Sequence, residues 1–154
     1  MIALIYLTAN SRSYTNTFSG IKYQVYESEG QKSYHQARSF CLKAGGKLPE
    51  PRTESENNYL NSTTLKAFYL SISDEEVEGA WAYADGSPIT WNSWGHDTPW
   101  KEPNGGSGEN FAIMLKQWIE SALSHRWADV NPSFMMDGLV CQLGKMLYHG
   151  VVTG

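Results

Sequence analysis

Lys101-Glu102-Pro103-Asn104-Gly105-Gly106-Ser107-Gly108-Glu109-Asn110 is the stretch on which the reading of this chain turns. Its one apolar side chain is proline, so it cannot be core. Its oxygen donors are Glu102, Asn104, Glu109 and Asn110, on a backbone loosened by three glycines and pinned by Pro103. A hard cation such as calcium takes about 6–8 oxygens from carboxylates, amides and carbonyls. Glycine lets one segment fold back tightly enough to supply several of them. Taken alone, the same composition also describes an ordinary polar surface loop.

The remainder of the chain narrows the choice. Its 154 residues make one domain, long enough to bury a proper core. With 41% hydrophobic and 18% charged residues it is not a strongly charged disordered chain. Six Trp, nine Tyr and five Phe suit a β-rich fold in which large rings fill irregular spaces. A net charge of −4, with twelve scattered Lys and Arg, offers no basic surface for nucleic acid. Cys41 and Cys141 are either two buried thiols or one bridge enclosing most of the chain. A bridge implies an oxidising compartment, and the sequon Asn61-Ser62-Thr63 is consistent with secretion. The apolar run at 2–9 is too short to span a bilayer and lacks a basic n-region. A truncated signal, a misassigned start and a strand all remain open for it.

Local patterns predict the elements. Residues 10–20, rich in Ser, Thr, Asn and Gly, read as a linker. Lys22 to Tyr26 reads as the first strand of the domain. Ser33 with Gln36 forms a capping box opening a helix to Ala44, with Tyr34, Ala37, Cys41 and Ala44 on one face. Thr53 with Glu56 opens a shorter helix to about Leu60. Strands are predicted at Phe68 to Ile72, Trp81 to Tyr83, Phe111 to Leu115, Arg126 to Val130 and Gly138 to Gln142. Ser87 to Gly108 shows little regular structure, and a loop of that length in a compact domain is usually functional. This order is α+β rather than alternating βαβ. The helices come early and the sheet closes late, so Cys41 can meet Cys141.

Several short signatures together resemble the C-type lectin-like domain family. They are Ala37 to Cys41, Leu70-Ser71-Ile72, Trp91 with Trp94, Glu102-Pro103-Asn104, Gly108-Glu109-Asn110, Trp127-Ala128-Asp129 and Val140-Cys141. The resemblance runs from Lys22 to Gln142, leaving 1–21 as an N-terminal extension and 143–154 as a tail. It implies two helices packed on antiparallel sheets, with a long loop emerging from one side. It also implies a cis Glu102–Pro103 bond and a calcium ion held by Glu102, Asn104, Glu109 and Asp129. In such sites two vicinal sugar hydroxyls complete the metal shell, each donating to a carboxylate and accepting from an amide. Glu-Pro-Asn resembles the mannose-type members; galactose-type members resemble Gln-Pro-Asp.

The chain departs from that pattern in three places. Ala128 stands where the family has Asn, which removes one metal oxygen and one hydrogen-bond donor; water or Asn131 is a candidate replacement. A second calcium site would use Asp74, Glu78, Glu109 and Asn110, but Gly105 stands where an Asp is common. A solvated acidic turn is the alternative for Asp74 to Glu78. The family's inner disulfide is missing from both ends, replaced by Phe111 and Pro132, which predicts a loop held by calcium rather than covalently. Trp118-Ile119 and Ala122-Leu123 lie in a longer segment than usual, either an extra amphipathic turn or a hairpin extension.

The resemblance implies a secreted or extracellular, non-enzymatic lectin that needs Ca2+ and binds glycans with mannose-like vicinal hydroxyls. It implies no nucleic-acid partner and no membrane span, and leaves oligomerisation open. The alternative is a lectin-like domain binding a protein, or ice, without sugar. Catalysis has little support. His35, His96, His125 and His149 are widely spaced and match no metal or triad signature.

Overall fold

The structure is a computed structural model that describes residues 12–116 and 124–144. The segment containing Trp118, Ile119, Ala122 and Leu123, the apolar run at 2–9 and His149 lie outside the described residues.

Helix α1 spans Tyr34–Lys43. The Ser33 hydroxyl accepts from the Gln36 N–H, and Gln36 Oε1 accepts from the Ser33 N–H, so the box is reciprocal. The helix buries Tyr34, Ala37 and Cys41 of the expected face, while Ala44, expected on that face, is the exposed C-cap. Helix α2 spans Glu54–Asn61. Thr53 Oγ1 accepts from Glu56 N–H at 3.2 Å, but Glu56 Oε2 reaches back to Arg52 N–H at 2.7 Å rather than to the cap itself. The sequon at its end is closed. Asn61 and Thr63 are buried in the folded domain, so the motif lends no support to secretion.

The strands form two antiparallel sheets. The first has the order β1 (Ser13–Phe18), β2 (Ile21–Tyr26), β8 (Leu139–Leu143), β3 (Gly46–Lys47). The second has the order β5 (Ala82–Tyr83), β4 (Ala67–Ser73), β6 (Phe111–Leu115), β7 (Arg126–Val130). β1 corrects the linker reading of residues 10–20. Ser19 and Gly20 both take positive φ, 52° and 76°, which closes a two-residue hairpin between β1 and β2. The Thr and Asn side chains of this strand lie on an exposed edge and give it no apolar alternation. Its pairing with β2, the Phe18 ring stacked on Tyr59 and the Thr64 N–H donating to the Tyr14 hydroxyl hold it in place.

Two apolar clusters fill the interior. One joins α1 to the sheets through Tyr34, Cys41, Leu48, Tyr69, Phe111 and Leu139. The other gathers Tyr23, Leu60, Phe68, Trp94, Met114 and Trp127. Cys41 on α1 and Cys141 on β8 form a disulfide, with their Cα atoms 5.3 Å apart. The bridge fastens the first helix to the last described strand. Phe111, at the position of a missing cysteine, stacks on Tyr34 with centroids 4.1 Å apart. Position 111 is therefore tied to α1 by ring packing. Pro132 is exposed on a turn.

Candidate functional site

β7 and the long loop build the site together. Trp127 is wholly buried, and its Nε1 donates to Asn57 Oδ1 on α2 at 2.8 Å. Its backbone N–H donates to Ser93 O at 2.8 Å, and its carbonyl accepts from Gly95 N–H at 3.1 Å. The loop entry is thereby laid along β7. Gly95 O then accepts from both Thr98 N–H and Glu102 N–H, which draws the loop into a compact turn. Arg126 on β7 pairs with Asp97 at 2.8 Å. His96 beside it is exposed.

The Glu102–Pro103 bond is cis, as the resemblance implied. Glu102 is 7% exposed and Asp129 5% exposed, so two carboxylates are buried at one place. Asp129 sits two residues after Trp127 on β7 and grips the loop with both oxygens. Oδ1 accepts from Asn104 N–H and Oδ2 from Gly105 N–H, each at 2.9 Å. Asn104 Nδ2 donates to Glu102 Oε1 at 2.9 Å and to the Trp100 carbonyl at 2.8 Å. Glu102 Oε2 is buried and receives no donor. Burial first, and then the Asp129 and Glu109 carboxylates, push the Glu102 pKa up to about 8. Burial and Asp129 also raise Glu109 above the usual carboxylate range.

Gly105 has a steric reason to be glycine. A Cβ built there would lie 2.2 Å from Glu109 Cβ and from its Oε2, since the Glu109 side chain crosses the space a larger residue would need. The short 3-10 turn Gly106–Gly108 carries the chain from one to the other. Lys101 precedes Glu102 with φ 53°.

The second expected cluster lies where β4 ends and β6 begins. Asp74 N–H donates to the Asn110 carbonyl at 3.2 Å. Asp74 Oδ2 accepts from Gly79 N–H at 2.8 Å, while Asp74 Oδ1 and Asn110 Oδ1 are buried without partners. Burial raises the Asp74 pKa. Glu78 is exposed, with Oε1 3.9 Å from where a Cβ on Gly106 would stand. His35 faces Glu75 from α1 at 3.6 Å and touches none of these oxygens.

Among the described residues no three Asp, Glu, His or Cys side chains converge tightly enough to hold an ion by themselves. The amides of Asn104 and Asn110 and backbone carbonyls are the other available donors. Three buried oxygens without donors, at Glu102, Asp74 and Asn110, are what an oxygen-seeking cation would satisfy. The set contains no soft ligand, so it suits calcium better than zinc or copper. Ala128 is 6% exposed and packs within the apolar cluster of Phe111 and Ile113, so it gives the site no polar atom. Asn131, the candidate for the missing amide oxygen, holds its own turn, with Oδ1 accepting from Ser133 N–H at 2.9 Å.

The comparisons agree with this architecture. The profile of the Lectin C-type domain matches residues 30–143, and the chain belongs to that family. It is 33% identical over 114 residues to pulmonary surfactant-associated protein D of Sus scrofa, covering 71% of this chain and 28% of that protein. It is 33% identical over 108 residues to the mannose-binding protein of Gallus gallus, covering 69% and 38%. The cow carbohydrate-recognition domain of CD23, solved in the presence of a GlcNAc2Man3 oligosaccharide, superposes with a TM-score of 0.68 at 27% identity. That superposition covers 83% of this chain and 91% of the other. The chain spans about a quarter to a half of the length of the curated relatives that match it. These relatives are lectins and carbohydrate-recognition domains rather than enzymes. Among the described residues no helix is long and apolar enough to cross a membrane.

Proposed function

We propose that this domain binds mannose-type sugars in a calcium-dependent manner, outside the cell. Glu102, Asn104, Glu109 and Asp129 would hold the ion and contact the sugar. The observation that carries this reading is the buried Glu102 beside Asp129, with Oε2 lacking any donor. Two carboxylates buried side by side, with the Glu102 proton affinity raised, are poorly placed unless something positive joins them. When bound, calcium would neutralise them and offer open coordination positions to a pair of vicinal hydroxyls.

The protein's own residues supply the remaining recognition. Glu102 and Glu109 would accept hydrogen bonds from the two hydroxyls. Asn104 Nδ2 donates to Glu102 Oε1 and to the Trp100 carbonyl in this structure, and would give up one of these bonds to donate to a hydroxyl. Asp129 fixes the loop through two backbone amides, so the loop backbone is held before a ligand arrives. Asp74, Glu78 and Asn110 form the best candidate for a second, structural ion. A family resemblance to a mannose-binding protein supports the sugar class, and the Glu-Pro-Asn order agrees with it.

The decisive experiment is retention on mannose resin in calcium. Retention that chelator reverses, with mannose a better eluant than galactose, is the expected result. Ala128 motivates the second reading, a protein or ice ligand bound without sugar. Flow-through in calcium, with partner binding indifferent to chelator, would favour that reading instead.

A further inference from the structure

We propose that Lys101 is a contact for an anionic substituent on the bound glycan: a sulfate, phosphate or carboxylate carried by the sugar. The inference rests on the site reading above and adds a charge preference to it.

Lys101 is one of three non-glycine residues among those described with positive φ, the others being Ser19 and His125. A side chain with a Cβ disfavours that region, and glycine would occupy it freely. Asn or Asp would be tolerated through a local hydrogen bond that lysine cannot make. The backbone gives position 101 no alternative. Its own N–H donates to Thr98 O at 3.1 Å, and the next N–H donates to Gly95 O at 3.2 Å. The conformation is thus set by the turn that places Glu102, and lysine sits in it against its own preference.

The side chain gives the fold nothing in return. Lys101 is exposed, and its ammonium has no ion-pair partner among the described residues. Arg126, the other cation near the loop, is already paired with Asp97 at 2.8 Å. Lys101 is also the only basic residue in the stretch 101–110. A strained residue with no structural partner, one position before the proposed sugar ligand, points to use by the ligand. Its charge then selects the class, since a neutral sugar has no need of an ammonium and an anionic one gains from it.

The test compares methyl α-mannoside with the same mannoside sulfated at carbon 6 or carbon 2, in excess calcium. Binding is measured to the wild-type domain and to Lys101→Gln and Lys101→Gly, at low and high salt. The wild type is expected to bind at least one sulfated ligand about two- to fivefold tighter at low salt, the range of an exposed ion pair. High salt should erase the gain. Both variants should lose it while binding the plain mannoside as before. Equal affinity for plain and sulfated ligands in the wild type overturns the proposal. So does a gain that survives both variants, or variants that lose the plain mannoside to the same degree. A wild type that binds neither ligand overturns the mannose reading of the site and this inference with it. Plain mannoside bound without a charge preference overturns the inference alone.

Discussion

At Glu102 a buried carboxylate meets two others, Asp129 and Glu109, and keeps the proton that water would take from it, with a pKa raised to about 8. In the metal-free protein the folded chain therefore binds a proton that the unfolded chain releases above the ordinary carboxylate range. For an acid shifted upward, stability is full below the unfolded pKa and falls as pH rises through the folded one. Denaturant unfolding in chelator should show stability declining from about pH 5 to about pH 8, and calcium should flatten the profile. A profile flat without calcium would mean that Glu102 is not held as described. Ala128 is the second residue with a clear consequence. The missing Asn removes a hydrogen bond to a charged or metal-polarised partner, worth about 1.5–3 kcal/mol. Ala128→Asn is expected to tighten calcium and mannoside binding by about tenfold or more. Titrations that superpose on the wild type would show that position 128, packed among Phe111 and Ile113, does not reach the site.

Elements with a strong period or a cap were legible in the sequence. The Ser33–Gln36 box, the Ala37 and Cys41 stripe, and the apolar run Phe111–Leu115 all form what their patterns predict. β1 was not legible, because an exposed edge strand carries no alternation and depends on its pairing with β2. The long loop was recognisable as a loop and its donors as donors. Its internal ties were not, since Gly95 O, the Asp129 grip and the Trp127–Asn57 bond are contacts between distant parts of the chain. Gly105 shows the difference. Sequence marked it as a lost ligand, whereas the structure shows Glu109 lying where a Cβ would go. Gly105→Ala should push Glu109 aside and weaken calcium binding by about tenfold or more, as disturbed metal surroundings generally do. Unchanged calcium affinity in that variant would remove Glu109 from the proposed ligand set.

Across the whole molecule, one disulfide and two aromatic-rich clusters hold a scaffold. Trp91, Trp94 and Trp100 anchor the loop in those clusters, and polar contacts fix the stretch from Glu102 to Gly105. A bridge closing a loop of this size contributes on the order of 4–5 kcal/mol in the chain-entropy picture. It fastens α1 to β8 and leaves the order of the loop to Asp129, the cis turn and whatever cation joins them. On the proposed reading, folding, metal and sugar would be linked through a single cluster, and that linkage is open to direct measurement. The experiment is a calorimetric calcium titration of the wild-type domain, with and without saturating methyl α-mannoside. If the sugar completes the shell of the ion, each must tighten the other by the same factor. Calcium is expected to bind in both titrations and more tightly with the mannoside present. Identical calcium isotherms, or no calcium binding at all, would contradict the account.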